Sequence, residues 1–288
     1  MPGVRVGHWT GTGTGVTVVL VPPETVASAE VRGGAPASRE LAILEPARMV
    51  QHIDAIVLSG GSAFGLATAD GVVQALAEQG RGYETRAGPV PIVPALAIND
   101  LVNAAGERPG RDEGRAALDA ADQDDGSRAV AGQLGAGRGA TVGKWKGPEY
   151  SVPGGLGTAA VRQDDAVVGV LAVVNAVGDV IGEDGQVLAG STAPAGVPGF
   201  PELLPPEETE HTTLVVVATD ARLTKLECRM VAESAHDGLA RALEPAHTRF
   251  DGDTAIALAT GQVDGDLDRL RACATRVVAA AVRAAAAP

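Results

Sequence analysis

The chain has 288 residues, 45% of them hydrophobic but only 2% aromatic, so it can bury a sizeable core of small aliphatic side chains and has little material for stacking nucleic-acid bases. Its 23 Lys and Arg against 36 Asp and Glu leave a net charge of −13, which repels a phosphate backbone and sets nucleic acid aside as a partner. The amino-terminal residues lack the basic start and apolar core of a signal peptide, no apolar run approaches the roughly 18 residues of a membrane span, and Cys228 and Cys273 are too few for a disulfide framework. A soluble cytoplasmic protein is the expectation.

Residues 16–21 (VTVVLV) form the first clear strand, closed by Pro22-Pro23, and residues 27–32 alternate weakly before Gly33-Gly34. The apolar run Ile53 to Leu58 meets Ser59-Gly60-Gly61-Ser62, after which Phe64, Leu66, Ala67, Val72, Val73 and Leu76 recur at helical spacing until Gly80. Pro89 to Ile98 carries three prolines and reads as a strand with irregular ends, its last residues placed to line a pocket. Arg111 to Asp125 reads as an exposed helix whose acidic end, residues 122–126, is solvated and carries no chemistry.

Glycines crowd the sequence from Gly132 to Gly157, where backbone must approach something closely, and a strand follows over Ala166 to Val174, ending at Asn175. Residues 182–210, rich in Gly, Pro and Glu, read as a long loop or linker. It delivers the chain to Thr212-Thr213 and the β-branched run Leu214 to Val217, a buried strand. Thr224 to Glu227 is a capping box that opens a helix with Leu226, Val231, Ala235 and Leu239 inward. A strand at 254–259 and an alanine-rich helix from Leu267 to Ala287, with Leu270, Cys273, Val277 and Val278 inward, complete an α/β pattern.

Three familiar signatures are nearly present and fail. Gly11 to Gly15 lies ahead of its strand and cannot set a helix N-terminus on a pyrophosphate. Gly143-Lys144 is followed by Trp145 where a phosphate loop needs Ser or Thr for magnesium. The Gly60 to Gly65 turn misses the nucleophile-elbow spacing by one residue. The five histidines show no ligand spacing, so no metal or other cofactor is called for, and none stands out as a general base.

A threonine needs no histidine if it begins a chain, because its own α-amine can take the hydroxyl proton. Such an amine has a pKa of about 7.7 to 8.0, suited to work near neutrality. Thr212 is internal, so this chemistry requires a cut between His211 and Thr212, which the loop-like stretch upstream makes geometrically reasonable.

Eleven ordered motifs then carry a resemblance over nearly the whole chain: VRVGHW, VTVVL, VRGGAP-SRE, LSGGSAFGLATADGV, VPIVPALAI, GATVGK, GGLGTA, VGVLAVVNA, TTLVVVATDA, AHDGLARAL and DGDTAIALATG. With them the chain resembles the self-processing serine/threonine aminopeptidases, the family of L-aminopeptidase/D-esterase, β-peptidyl aminopeptidases and nylon-oligomer hydrolases. The resemblance implies a single α/β domain over residues 1–288, an αββα four-layer sandwich of the N-terminal-nucleophile type, self-cleaved into an α part (1–211) and a β part (212–288). It implies Thr212 as nucleophile, Lys144 beside it, Asn175 as an oxyanion donor, and Asp251 and Asp253 holding the threonine in register. Asn99 and Ser62 are implied at the substrate, with small peptides or amides as substrate and a homo-oligomer, a tetramer of αβ units, as the assembly.

Two departures bear on this. Some relatives carry an aromatic residue where Asn99 stands, which alters substrate preference, and asparagine or glycine commonly precedes the cut where this chain has His211. Thr213 is the alternative nucleophile, an acyltransferase using the same acyl-threonine is the alternative enzyme, and an uncut, non-catalytic ligand-binding homologue is the alternative from another class.

Overall fold

The computed structural model describes residues 3–124, 131–198 and 211–286. Two five-stranded sheets carry the fold. The first is built from β1 (Arg5–Thr10), β2 (Gly15–Leu20), β4 (Ala37–Arg39), β5 (Ala55–Ser59) and β6 (Ala95–Ala97), in the order β1-β2-β5-β6-β4. The second contains β3 (Val26–Val31), β7 (Gly155–Gln163), β8 (Ala166–Asn175), β9 (Thr212–Ala221) and β10 (Thr254–Val263), in the order β3-β10-β9-β8-β7. Only the β5/β6 and β9/β10 pairs are parallel; the other neighbours run antiparallel.

Alternation along each strand sorts the side chains into layers. In β9, Leu214, Val216 and Ala218 face a core shared between the sheets with Ile56, Leu58, Leu96, Leu171, Val173, Ile256 and Leu258. The intervening Val215 and Val217 pack outward against helices α3 (Lys225–Ala240) and α4 (Leu267–Ala285), meeting Val231, Ala235, Leu239, Val277 and Val278. On the far side, Val16, Val18, Leu20 and Val57 meet α1 (Thr68–Glu78) and α2 (Arg111–Asp122) through Val72, Leu76, Ala117 and Leu118. Helix, sheet, sheet, helix is the four-layer αββα order expected from the resemblance.

Several local expectations are corrected. Helix α2 is not merely exposed: it buries Gly114, Ala117, Leu118 and Ala121 on the first sheet. Its acidic end ties down β1, because Asp122 pairs with Arg5 at 2.9 Å and Asp124 accepts the Val6 amide at 2.9 Å; Asp125 and Gly126 lie outside the described residues. Pro89 to Ile98 yields only the three residues of β6, since prolines have no N–H to donate to a ladder. Within the expected linker, Val187–Ala189 pairs with Asp179–Ile181, while 199–210 lie outside the described residues, as does Ala287 at the closing helix. The sequence does not predict strands β1, β4 and β7.

The largest departure is at the start of α3. Leu226, expected inward, is 59% exposed, and Lys225 is buried instead. The capping box holds, with the Thr224 amide donating to Glu227 at 2.7 Å and the Glu227 amide to Thr224 Oγ1 at 3.3 Å. It sets a phase that lays the Lys225 stem on the core and sends its ammonium to the carbonyls of Ile43 and Val50, each at 2.7 Å. Among the described residues no helix is long and apolar enough to cross a membrane, and both cysteines are free and buried.

The shared core between the sheets generates a stability prediction. Leu58 is fully buried there, so Leu58→Ala is expected to cost about 2–5 kcal/mol through lost burial and a residual cavity. Urea unfolding reads this as a lower midpoint at an unchanged slope.

Candidate active site

The candidate residues converge because of one ladder. Strands β8 and β9 run antiparallel with Val173 opposite Leu214, Val174 opposite Thr213 and Asn175 opposite Thr212. Thr212 shares the parity of Leu214 and Val216, and Asn175 that of Leu171 and Val173, so both belong to the face toward the other sheet. They lie, buried, at paired strand ends on the face packed against the first sheet.

Asn175 is held there at both ends of its side-chain amide. Its Oδ1 accepts the Lys144 ammonium at 2.8 Å and the Thr141 amide at 3.0 Å, and its Nδ2 donates to the Asn99 carbonyl at 3.2 Å. The last bond ties the second sheet to the end of β6 in the first. Lys144 is itself buried, following a left-handed Gly143, and its amide donates to the Val177 carbonyl at 2.8 Å. A buried ammonium and a side-chain amide set side by side are the kind of donors that stabilise developing negative charge.

Thr212 is buried at the start of β9, and its hydroxyl donates to the carbonyl oxygen of His211. The Gly252 amide donates to that same carbonyl oxygen at 3.0 Å. His211 is 3% exposed and bridges Asp251 in parallel register; burial first, and then the Lys144 ammonium, push its imidazole down to about 3, so it stays neutral at ordinary pH. The approach at Gly252 leaves no room for a side chain: a Cβ there would lie 2.6 Å from Thr212 Oγ1 and 2.8 Å from the Ala35 carbonyl oxygen. Gly33, in the turn after β3, is equally constrained, its missing Cβ falling 2.2 Å from the Asp251 carbonyl oxygen.

Asp251 and Asp253 flank Gly252 and are both buried. The hydroxyl and the amide of Thr248 each reach Asp251 Oδ2 at 2.7 Å. Burial, followed by the charge of Asp253, nevertheless raises the Asp251 carboxyl to about 7. Asp253 Oδ1 accepts the Thr213 amide at 2.7 Å, one residue beyond the expected contact with Thr212 itself. Its Oδ2 accepts from His247, through Nδ1 at 2.8 Å and the backbone amide at 3.2 Å.

Thr212, Asn175, Lys144 and His211 thus meet in one buried cluster, with the two aspartates reached through the Gly252 and Thr213 amides. Asn99 touches it by its carbonyl, while its side chain accepts the Leu101 amide at 3.4 Å. Ser62 is one step out, its amide donating to the Ile98 carbonyl at 2.9 Å. The sequence alone does not point to the Gly252 amide, to His247 or to Thr248. The signal for the first was the glycine between two candidate aspartates; His247 sits four residues ahead of Asp251 with no spacing to mark it. Among the described residues no group of three or more His, Cys, Asp or Glu side chains could hold a metal ion.

Comparison with known proteins bears on this cluster. The sequence profile of peptidase family S58 matches residues 1–287. An uncharacterized aminopeptidase of Mycobacterium leprae is 41% identical over 290 residues, covering 91% of this chain and 78% of its own. A 6-aminohexanoate-oligomer endohydrolase of Agromyces sp. is 31% identical over 279 residues, covering 91% of this chain and 74% of its own. Among solved structures, the L-aminopeptidase D-Ala-esterase/amidase of Ochrobactrum anthropi, described as a variant of the Ntn hydrolase fold, superposes with a TM-score of 0.72 at 19% identity, over 99% of this chain and 84% of its own.

The raised Asp251 carboxyl has a cost that depends on pH. Its folded-state pKa of about 7 stands above the ordinary value of 3.8, so the folded chain holds a proton the unfolded chain has released, and stability is lost as pH rises through about 7. In proteins that also carry Thr212→Ala, Asp251→Asn is expected to gain stability over its parent progressively between pH 4 and about 7, then level off. Urea midpoints across that range read the difference.

Proposed function

The chain belongs to peptidase family S58, a family of amide-bond hydrolases by the names its relatives carry, and on that premise we propose that it is a self-cleaving hydrolase whose nucleophile is Thr212. The observation that carries the proposal is the paired contact at the His211 carbonyl. The Thr212 hydroxyl lies against that carbonyl, and the Gly252 amide already polarises its oxygen.

In the first reaction, Thr212 Oγ attacks the His211 carbonyl carbon and the negative charge moves to the His211 oxygen, facing the Gly252 amide. The peptide C–N bond breaks, its nitrogen takes the hydroxyl proton, and an ester joins His211 to Thr212. Water cleaves that ester, giving an α part ending at the His211 carboxylate and a β part beginning with the Thr212 amine. The two parts stay together because β8, in one, pairs with β9, in the other, over eight residue pairs.

The freed amine then serves as base for its own hydroxyl. Thr212 Oγ attacks a substrate carbonyl and transfers its proton by way of that amine to the departing nitrogen, leaving an acyl-threonine that water hydrolyses. Asn175, held by Lys144, faces the developing oxyanion. Relatives named as aminopeptidase and 6-aminohexanoate-oligomer endohydrolase support small peptides or amide oligomers as the substrate class. Assembly as a tetramer of αβ units in the cytoplasm is part of the same reading.

The expected results are specific. Thr212→Ala leaves an uncut chain without amidase activity, while Thr212→Ser retains both reactions. Gly252→Ala, which crowds the hydroxyl and disturbs the amide donor, slows self-cleavage by about 10²–10³-fold, the usual effect of losing one oxyanion donor. With a slow aminoacyl anilide, acid quenching and peptide mapping find the acyl group on the fragment beginning at Thr212. Turnover by the Ala variant, or acylation elsewhere, overturns the proposal.

A further inference from the structure

We infer that His247 is a positioning residue of this site: its ring and backbone amide hold the carboxylate of Asp253, which in turn pins the backbone immediately after Thr212. The inference rests on the Thr212 reading for its consequence, though not for its geometry.

The protonation state follows from the partners. Nδ1 of His247 lies 2.8 Å from Asp253 Oδ2, and Nε2 lies 3.4 Å from the carbonyl oxygen of His236. A carboxylate and a carbonyl can only accept, so a ring that makes both bonds carries both protons. The ring is held in place by the His247 amide, which binds the same carboxylate oxygen at 3.2 Å, by a left-handed backbone (φ 56°), and by the edge of His236, whose centroid is 4.8 Å away at 68°.

The charged neighbours favour this state on balance. From its own loop His247 faces Asp253 and, beyond it, Asp251; from α3 it faces His236, which burial pushes down to about 4 and which is therefore neutral. Arg32, at the end of β3, opposes the imidazolium, but is itself drawn toward Glu30 at 3.7 Å and Asp237 at 3.8 Å. Burial also opposes the charge on His247, yet its pKa is raised overall, through the hydrogen bond and the charge of Asp253.

The consequence reaches Thr212 through one carboxylate. Asp253 Oδ1 holds the Thr213 amide at 2.7 Å while Oδ2 is occupied by His247. With the His247 ring in place, Asp253 is oriented as an acceptor for the start of β9. Without the ring, Oδ2 loses its Nδ1 donor and the carboxylate is free to turn away from the Thr213 amide.

The test uses His247→Leu, which removes both donors and the charge, and His247→Asn, whose Nδ2 restores a neutral donor in place of Nδ1. For folded variants, kcat/KM for a small aminoacyl amide is expected to fall by about tenfold or more at pH 6, yet by less than about twofold at pH 9, because the charged pair with Asp253 is lost from the parent too as its His247 ring gives up a proton. His247→Asn should fall between parent and His247→Leu. A loss equal at every pH would mark a merely structural role and overturn the inference.

A second readout needs no turnover and so remains interpretable if either variant fails to fold. In uncut Thr212→Ala protein, nitrogen-detected NMR of the histidines is expected to show both ring nitrogens of His247 protonated at pH 6. A neutral His247 ring at that pH overturns the inference even if Thr212 is the nucleophile. Activity in the Thr212→Ala protein would instead overturn the nucleophile assignment while leaving the His247 geometry standing.

Discussion

Everything at this site depends on the register of one antiparallel ladder, which sets Asn175 at the end of β8 opposite Thr212 at the start of β9. Slipping it by one residue would turn Thr212 toward the helices and Thr213 toward the other sheet, and would expose Val215 and Val217 to the wrong core. The apolar alternation that drives folding therefore also selects which of two adjacent threonines faces the neighbouring sheet.

The second constraint is electrostatic. Lys144, His211, Asp251 and Asp253 are all buried around the paired ends of β8 and β9, where an unpaired charge is costly. The cluster tolerates this through hydrogen bonds and unequal protonation. Lys144 is placed on Asn175, His211 is neutral, Asp251 holds a proton up to about pH 7, and Asp253 accepts three N–H donors. Such divergence between neighbouring titratable groups is characteristic of sites that carry out acid–base chemistry.

Much of the architecture was legible because periodicity is local. The strands around Val16, Ile53, Ala166, Leu214 and Ala255 and the two closing helices announce themselves by apolar spacing, and the layer order followed from the resemblance. Less legible were features set by tertiary partners. Strand β7 is opened by glycines that admit the backbone of α4, so its pattern is diluted; a Cβ on Gly157 would meet the Ala281 carbonyl oxygen at 2.1 Å. The burial of Lys225 has no sequence signal, because nothing nearby in sequence reveals that Ile43 and Val50 turn their carbonyls toward it. Asn175 and Lys144 were named through motifs, but their bond is a contact across 31 residues. The Gly252 amide is a backbone donor, invisible to any search by side-chain type.

A denaturing intact-mass spectrum of the purified, fully incubated protein tests the central claim most directly, because it reads the covalent state of the bond between His211 and Thr212. Two masses corresponding to residues 1–211 and 212–288, the smaller beginning Thr-Thr-Leu, are the predicted result. A single mass for the unbroken chain, in a preparation that hydrolyses amides, would contradict it.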